Sequence, residues 1–433
     1  MPSQYSIEGH IIRFPVPPAP ENRRSMLGFA CDPIPHVRVG LIGLGMRGPG
    51  AVDRFLELED ASIVALCDLY PAPVEEARKR LAEGGAPEPK LFIGPDGYKR
   101  LCEEEGIDLV YVAVPWHLHT PIALYAMEHG KHVALEVPAA TTVAECWALV
   151  DTAERTRRHC MMLENSCYDF FELSCLHMVQ QGLFGEIVHA EGAYCHNLNS
   201  YWDRYRDDWS MKQTAAHRGD LYPTHGLGPI CQALGIHRGD KLDLLVAMDS
   251  AAIAGQAIAD ARYGKGSLTF ENGDLTATLM RTRKGKTLLL ERSIVTPRPY
   301  SRMYQLCGTR GYAGKYPVPE ILLGEEATEC MEAAERDALL QRYRHPILEG
   351  LEEKARTVGG HGGIDYIMDY RLIYCLHHGL PLDQDVYDAA EWSSVVELTE
   401  ASLRNGCLPV EMPDFTRGEW DRLQGVRFAT AQK

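Results

Sequence analysis

The chain has no C-x-x-C pair and no cysteine spacing that suits zinc, although it carries 13 cysteines. An odd, unpatterned set of thiols fits a reduced protein better than a disulfide framework. It also lacks any apolar run approaching the roughly 20 residues that cross a bilayer. Positive charge is scarce: 44 Lys and Arg face 60 Asp and Glu, and the net charge of −16 is spread along the chain. That balance argues against nucleic acid and anionic membranes as partners. Acidic runs such as Glu103-Glu104-Glu105 read as solvated helix faces. The opening "MPSQYSIEGHIIRFPVPPAP" has no basic start followed by an apolar core, so no signal peptide is expected and the cytoplasm is the expected compartment. Its prolines predict an extended arm, residues 1–36, packed on a neighbouring surface.

What is present is a regular alternation. A length of 433 residues predicts two domains. From Val37, "VRVGLIGLG", "SIVALCD", "KLFIG", "DLVYVAVP", "KHVALEVP" and "CMMLEN" read as strands separated by helical segments. This pattern predicts right-handed βαβ units and a parallel sheet with helices on both faces, a Rossmann-type α/β domain over residues 37–165. Beyond it, "EIVHAEGAY", "LDLLVAMDS", "DLTATLMRTR", "KTLLLERSI" and "MYQLCG" are separated by turns and not by long helices. They predict an α+β domain over residues 166–433 with a mostly antiparallel sheet, closed by helices after Glu329.

Gly43, Gly45 and Gly48 match G-x-G-x-x-G between a predicted strand and a predicted helix. There the glycines allow a tight turn and close approach of a pyrophosphate to a helix N-terminus. Asp68 ends the second strand, 20 residues past Gly48, where a carboxylate accepts the ribose hydroxyl of NAD and repels the extra phosphate of NADP. Arg47 is open to two readings, a pyrophosphate partner or a 2′-phosphate partner. Trp116, His117 and His119 follow one strand and Glu136 the next, at the carboxyl ends where open parallel sheets bind ligands. They are placed to flank the nicotinamide ribose, or else the two histidines belong to a polar loop. No carboxylate or cysteine lies at useful spacing from that pair, so no metal is expected.

The stretch "DLYPTHGLGP", residues 220–229, sets Tyr222 and His225 three apart between turn formers and a glycine pair. Locally, Thr224 reads as an N-cap with His225 in the first turn of a helix; functionally, the pair reads as acid–base groups.

The Rossmann pattern, the E-x-P after the fifth strand and a histidine ahead of an antiparallel sheet together resemble the glucose-fructose oxidoreductase/inositol dehydrogenase superfamily. Sugar dehydrogenases of that group carry lysine in E-K-P and aspartate four residues before the histidine; here those positions are Val137 and Leu221. "PWHLH", "EVPAATTVAECW", "LENSCYDFF", "MVQQGLFGEIVHAEGAY", "DLYPTHGLGP", "RPY" and "GGHGGIDY", across residues 37–420, are similar to glycoside hydrolase family 109. That resemblance implies an NAD-dependent glycosidase with α-N-acetylgalactosaminidase activity. It places Met46, Arg47, Asp68, Trp116, His117, Leu118, His119, Glu136, Val137 and Asn165 on the cofactor. It places Tyr194, Tyr222, Pro223, Thr224, His225 and Tyr300 around the sugar. A family arginine that binds substrate is Ser210 here, after Trp209, with Arg218 a replacement from another position. The resemblance also implies a homo-oligomer.

The implied chemistry is transient oxidation of the sugar at C3, which makes the C2 proton acidic, followed by elimination of the aglycone, addition of water and re-reduction. His225 and Tyr222 are assigned to the oxidation centre, Tyr194 to the C2 proton, and Tyr300 to sugar contact or proton donation, with the tyrosine roles exchangeable. The alternatives are a sugar or inositol dehydrogenase and a noncatalytic dinucleotide sensor.

Overall fold

The computed structural model describes residues 4–431. Six parallel strands form the first sheet in the order Lys90–Ile93, Ala61–Asp68, Val37–Ile42, Leu109–Val112, His132–Leu135, Cys160–Met162. This is the doubly wound order of dinucleotide-binding domains, with the crevice beside the first strand where the winding reverses. The central strands Leu109–Val112 and His132–Leu135 are buried at every position, as expected when helices cover both faces. The helix Val143–Thr156 starts at a capping box in which Thr142 and Glu145 satisfy each other's backbone amides. All the strands point their carboxyl ends at one edge, which therefore gathers the glycine turn, Asp68, the Trp116 loop, Glu136 and Asn165.

The second sheet has ten strands, and seven of its nine neighbouring pairs are antiparallel. The exceptions are Thr287–Ser293 beside Ile187–Cys195 and Val410–Glu411 beside Ile11–Arg13, which run parallel. One face of the sheet receives the helices Thr224–Leu234 and Val386–Arg404. The latter also packs on the helix Val143–Thr156 and the strand Cys160–Met162, so this long, almost wholly buried helix lies between the two sheets.

Two expectations need adjustment. The N-terminal arm is not extended throughout: Ser6–Glu8 and Ile11–Arg13 form a hairpin on the edge of the second sheet before the proline-rich passage. The C-terminal helices are not confined to the second unit. The helix Ile364–His378 packs on the helix Gly48–Phe55 beside the glycine turn, where Arg54 Nε meets Asp369 Oδ2 at 2.6 Å in the interior. Helical periodicity predicts these segments as helices but carries no information about which sheet they cover.

Candidate active site

The glycine turn is fixed by close approach. Gly43 has φ of +94°, and a Cβ there would lie 2.3 Å from the Ala113 carbonyl oxygen. A Cβ on Gly48 would lie 2.3 Å from the Gly43 oxygen. Gly45 differs, because nothing lies within 4 Å of its Cβ position. Its bare backbone faces open space at the start of the helix Gly48–Phe55, whose first turn holds no acid. Across the turn, Asp68 Oδ2 accepts the Leu44 amide at 2.8 Å and Oδ1 accepts the Tyr70 amide at 3.0 Å. An open cradle of backbone, an uncontested helix N-terminus and a carboxylate at the second strand end fit the pyrophosphate and ribose of NAD.

Arg47 lies between two carboxylates, with Nε 3.0 Å from Glu136 Oε1 and Nη2 3.3 Å from Asp365 Oδ2. Glu136 is the main reason its guanidinium is held well above its ordinary value. Asp365 also accepts from Asn165 Nδ2 at 2.5 Å and faces His361 Nδ1 at 2.9 Å. Burial would raise the Asp365 acid, but His361, Arg47 and Arg54 outweigh that and hold it well below the carboxylate range. Met46, His117 and Leu118 are exposed, Trp116 is half-buried and Val137 is buried. His119 is fully buried, with its ring nitrogens 2.7 Å from the Pro138 oxygen and 2.8 Å from the Val114 oxygen. Its ring is enclosed between the two strand-end loops, and burial lowers its basicity.

The helix carrying His225 is docked through glycines. A Cβ on Gly226 would lie 2.5 Å from the Ala193 nitrogen, and one on Gly192 would lie 2.3 Å from the Gly226 oxygen. Helix and strand thus touch backbone to backbone, which sets Tyr194, on the strand, against His225, on the helix. Pro223, not Thr224, occupies the N-cap position; Thr224 is the first helical residue and is buried. Gly226 serves contact between elements and not a turn. The Tyr222 amide donates to Asp220 Oδ1 at 2.9 Å, which fixes the residues ahead of the helix.

The predicted catalytic groups converge. Ring centroids are 4.9 Å apart for Tyr194 and Tyr222, 5.4 Å for Tyr194 and His225, and 5.0 Å for Tyr222 and His225. Trp116 of the first domain stacks on Tyr222 at 5.8 Å and 28°. Tyr300 joins through His196, whose ring lies 5.2 Å away and whose Nδ1 lies 3.0 Å from the Tyr194 hydroxyl. Burial drives Tyr194 and Tyr222 above the ordinary phenol value and His196 below the ordinary imidazole value. The phenols are therefore protonated near neutral pH, and the His196 ring is neutral.

Sequence reasoning missed three of these residues. Glu164 is fully buried and its Oε1 lies 2.6 Å from His225 Nδ1. Burial would raise this acid, but the His225 ring and hydrogen bonds from His225 and the Ser166 amide bring it below its ordinary value. The only hint was an acid at a strand end beside Asn165; its partner is 61 residues away. His196 and Asp365 were equally silent. Arg218 forms a two-pronged pair with Asp249 at 3.0 and 2.7 Å. Its guanidinium is thus engaged with the second sheet, and it does not take the place of the family arginine at Ser210.

Residues 168–422 match the family model described as "Glycosyl hydrolase 109, C-terminal domain", and residues 37–164 match "Oxidoreductase family, NAD-binding Rossmann fold". Among curated relatives, Glycosyl hydrolase family 109 protein 1 of Bacteroides fragilis is 52% identical over 97% of this chain and 94% of the relative. The protein named alpha-N-acetylgalactosaminidase from the same species is 49% identical over 92% of this chain and 96% of its own length. Among solved structures, a levoglucosan dehydrogenase in complex with NADH and L-sorbose superposes with a TM-score of 0.68. It covers 88% of this chain and all of that one at 18% identity, a likeness of fold.

Proposed function

This chain belongs to glycosyl hydrolase family 109, and from that premise we propose that it is an NAD-dependent α-N-acetylgalactosaminidase. One observation carries the reading: Tyr194, Tyr222 and His225 meet within about 5 Å of each other, against Trp116 of the nucleotide-binding domain. Acid–base groups placed there act on a sugar carbon next to the cofactor, and no pair of carboxylates of the usual glycosidase kind is needed.

The glycine turn and Asp68 would hold NAD⁺, which would supply a reversible hydride acceptor beside C3 of the sugar. His225 accepts the O3 proton at Nε2, since Nδ1 donates to Glu164. The Tyr222 hydroxyl, kept protonated by burial, donates to O3 and holds the ring in place. With C3 a ketone, the proton on C2 is acidic enough for a modest base. The Tyr194 phenol is a weak base by itself. It acts with His196, passing its own proton along the 3.0 Å hydrogen bond as it takes the one from C2. Elimination then expels the aglycone, to which Tyr300, on the far side of His196, donates a proton. Water adds back to the unsaturated ketone before C3 is reduced.

The second sheet leaves Val188, Met248 and Leu279 exposed at 50%, 64% and 60%, which suits a homo-oligomer built on that sheet. All the cysteines are unpaired, which suits a reducing compartment such as the cytoplasm; among the described residues no helix is long and apolar enough to cross a membrane.

A panel of chromogenic hexosaminides, assayed with and without added NAD⁺, tests the function. The expected result is cleavage of the α-N-acetylgalactosaminide with no net NADH. Stoichiometric NADH from free sugar, without glycoside cleavage, would instead show a dehydrogenase. Val137 and Leu221, both buried apolar side chains where dehydrogenases carry lysine and aspartate, speak against that outcome.

A further inference from the structure

Residues 201–210 reach from the second sheet across to the nucleotide-binding domain. Their base is firmly held. Trp202 is buried in a small cluster with Met211, Ala215, Ala259, Phe270 and Ile294, separate from the main core. Arg262, on the helix Ala254–Tyr263, pairs with Asp203 at 2.6 Å and with Asp208 at 2.5 Å. Between these anchors Asp207 and Asp208 both adopt left-handed backbone, at φ of 58° and 54°, which costs non-glycine residues energy. The segment is bent on purpose, and the bend turns three side chains towards the other domain.

Two of the three land on residues of the cofactor cleft, and the third braces one of them. The Arg206 guanidinium lies over the Tyr70 ring at 4.0 Å. Tyr70 is two residues past Asp68 and donates its amide to that carboxylate, so this contact marks the adenosine end. Trp209 meets Trp116 edge-on at 5.3 Å, at the nicotinamide end, and Tyr205 packs on Trp209 at 5.3 Å. Tyr205 also lies in the field of Arg47 and Glu136.

We propose that Tyr205, Arg206 and Trp209 form a clasp that closes the NAD site from the second domain, and that Arg262 holds the clasp shut through Asp203 and Asp208. The proposal rests on the redox-neutral reading of the function. A dehydrogenase must release its reduced cofactor at every turnover, so a clasp would slow it. An enzyme that returns the hydride to the same sugar has no need to let NAD go, and retention keeps the reduced form from escaping between the two transfers.

The test is exchange of bound NAD against isotopically labelled NAD, followed by rapid filtration of the full-length protein and independent of turnover. Wild-type protein should exchange slowly. Loss of one exposed cation–aromatic contact, in Arg206→Ala, should speed exchange about two- to fivefold, and Arg206→Lys should recover part of the effect. Arg206 is exposed, so its removal leaves the core intact and the thermal midpoint should not move. Arg262→Ala should speed exchange at least as much. Exchange rates in both alanine variants equal to wild type would overturn the clasp, as would fast exchange in the wild type. Faster exchange in a protein that cleaves no glycoside would leave the clasp standing and remove the glycosidase reading. Glycoside cleavage with unaltered exchange would do the reverse.

Discussion

Replacing Glu164 isolates the contribution of one buried charge to catalysis. Its Oε1 accepts from two groups, His225 Nδ1 at 2.6 Å and the Ser166 amide at 3.0 Å. In Glu164→Gln both donors hold the amide oxygen in the same place, so the imidazole keeps its orientation and its tautomer. Only the charge is lost. A charge-assisted hydrogen bond exceeds a neutral one by about 1–2 kcal/mol, and that difference is felt when the ring takes the sugar proton and becomes positive. The expected fall in kcat is therefore roughly 5- to 30-fold, with KM and NAD content close to wild type. Glu164→Ala removes the acceptor as well, leaves two buried donors unpaired and frees the ring to turn; kcat should fall about a hundredfold or more. Steady-state kinetics on a chromogenic α-N-acetylgalactosaminide, with bound NAD assayed in parallel, separates the cases. Wild-type kcat in both variants would refute the role of Glu164 as the positioning residue for His225. A common rise in KM with unchanged kcat would assign it to substrate binding. Acid stability gives an independent check. Because the folded protein holds this carboxyl below its ordinary value, its charge stabilises the fold above the unfolded pKa. That stability is lost as pH falls through the lowered folded value. The glutamine variant should lack that part of the acid sensitivity.

Other perturbations follow from the same geometry. Gly226→Ala would normally strengthen a helix, but here the new methyl group would press on the Ala193 nitrogen from 2.5 Å; chemical denaturation should show a loss of about 1–3 kcal/mol, and turnover should fall with it. Asp68→Ala removes the ribose acceptor and the acceptor for the Leu44 amide, so titration should show NAD binding weakened about tenfold or more and discrimination against NADP reduced. Asp220 is buried and its carboxyl is pushed up to about 6, burial outweighing Arg292. The folded state therefore holds its proton where the unfolded state does not, and the charge costs stability as pH rises from about 4 to 6. In Asp220→Asn, which keeps the acceptor for the Tyr222 amide, denaturation midpoints should decline less than wild type over that interval.

Much of the nucleotide-binding half could be read from the sequence because its signals are local. Buried strands alternate with helices, and Gly43 and Gly48 of the motif meet atoms of their own turn or of the next strand end. The candidate site was partly legible for the same reason, since Tyr222 and His225 share one short segment. What stayed hidden depends on pairing between distant elements. Glu164 and Asp365 look like any acid beside a strand or on a helix until the fold sets them against His225 and Arg47. His119 shows the converse: its place in a strand-end loop suggested a cofactor contact, whereas the fold encloses the ring between two backbone carbonyls. Arg218 had the right charge and the wrong neighbour, because Asp249 on the adjacent strand engages it first.

Cleavage of an α-N-acetylgalactosaminide in heavy water puts the central claim to the most direct test. If the linkage breaks through a transient C3 ketone, the released sugar carries solvent deuterium at C2 while the bound NAD ends the reaction oxidised, and nuclear magnetic resonance of the product shows the C2 proton signal lost. Complete cleavage with the original hydrogen retained at C2 would mean that the bond is broken without passing through the ketone.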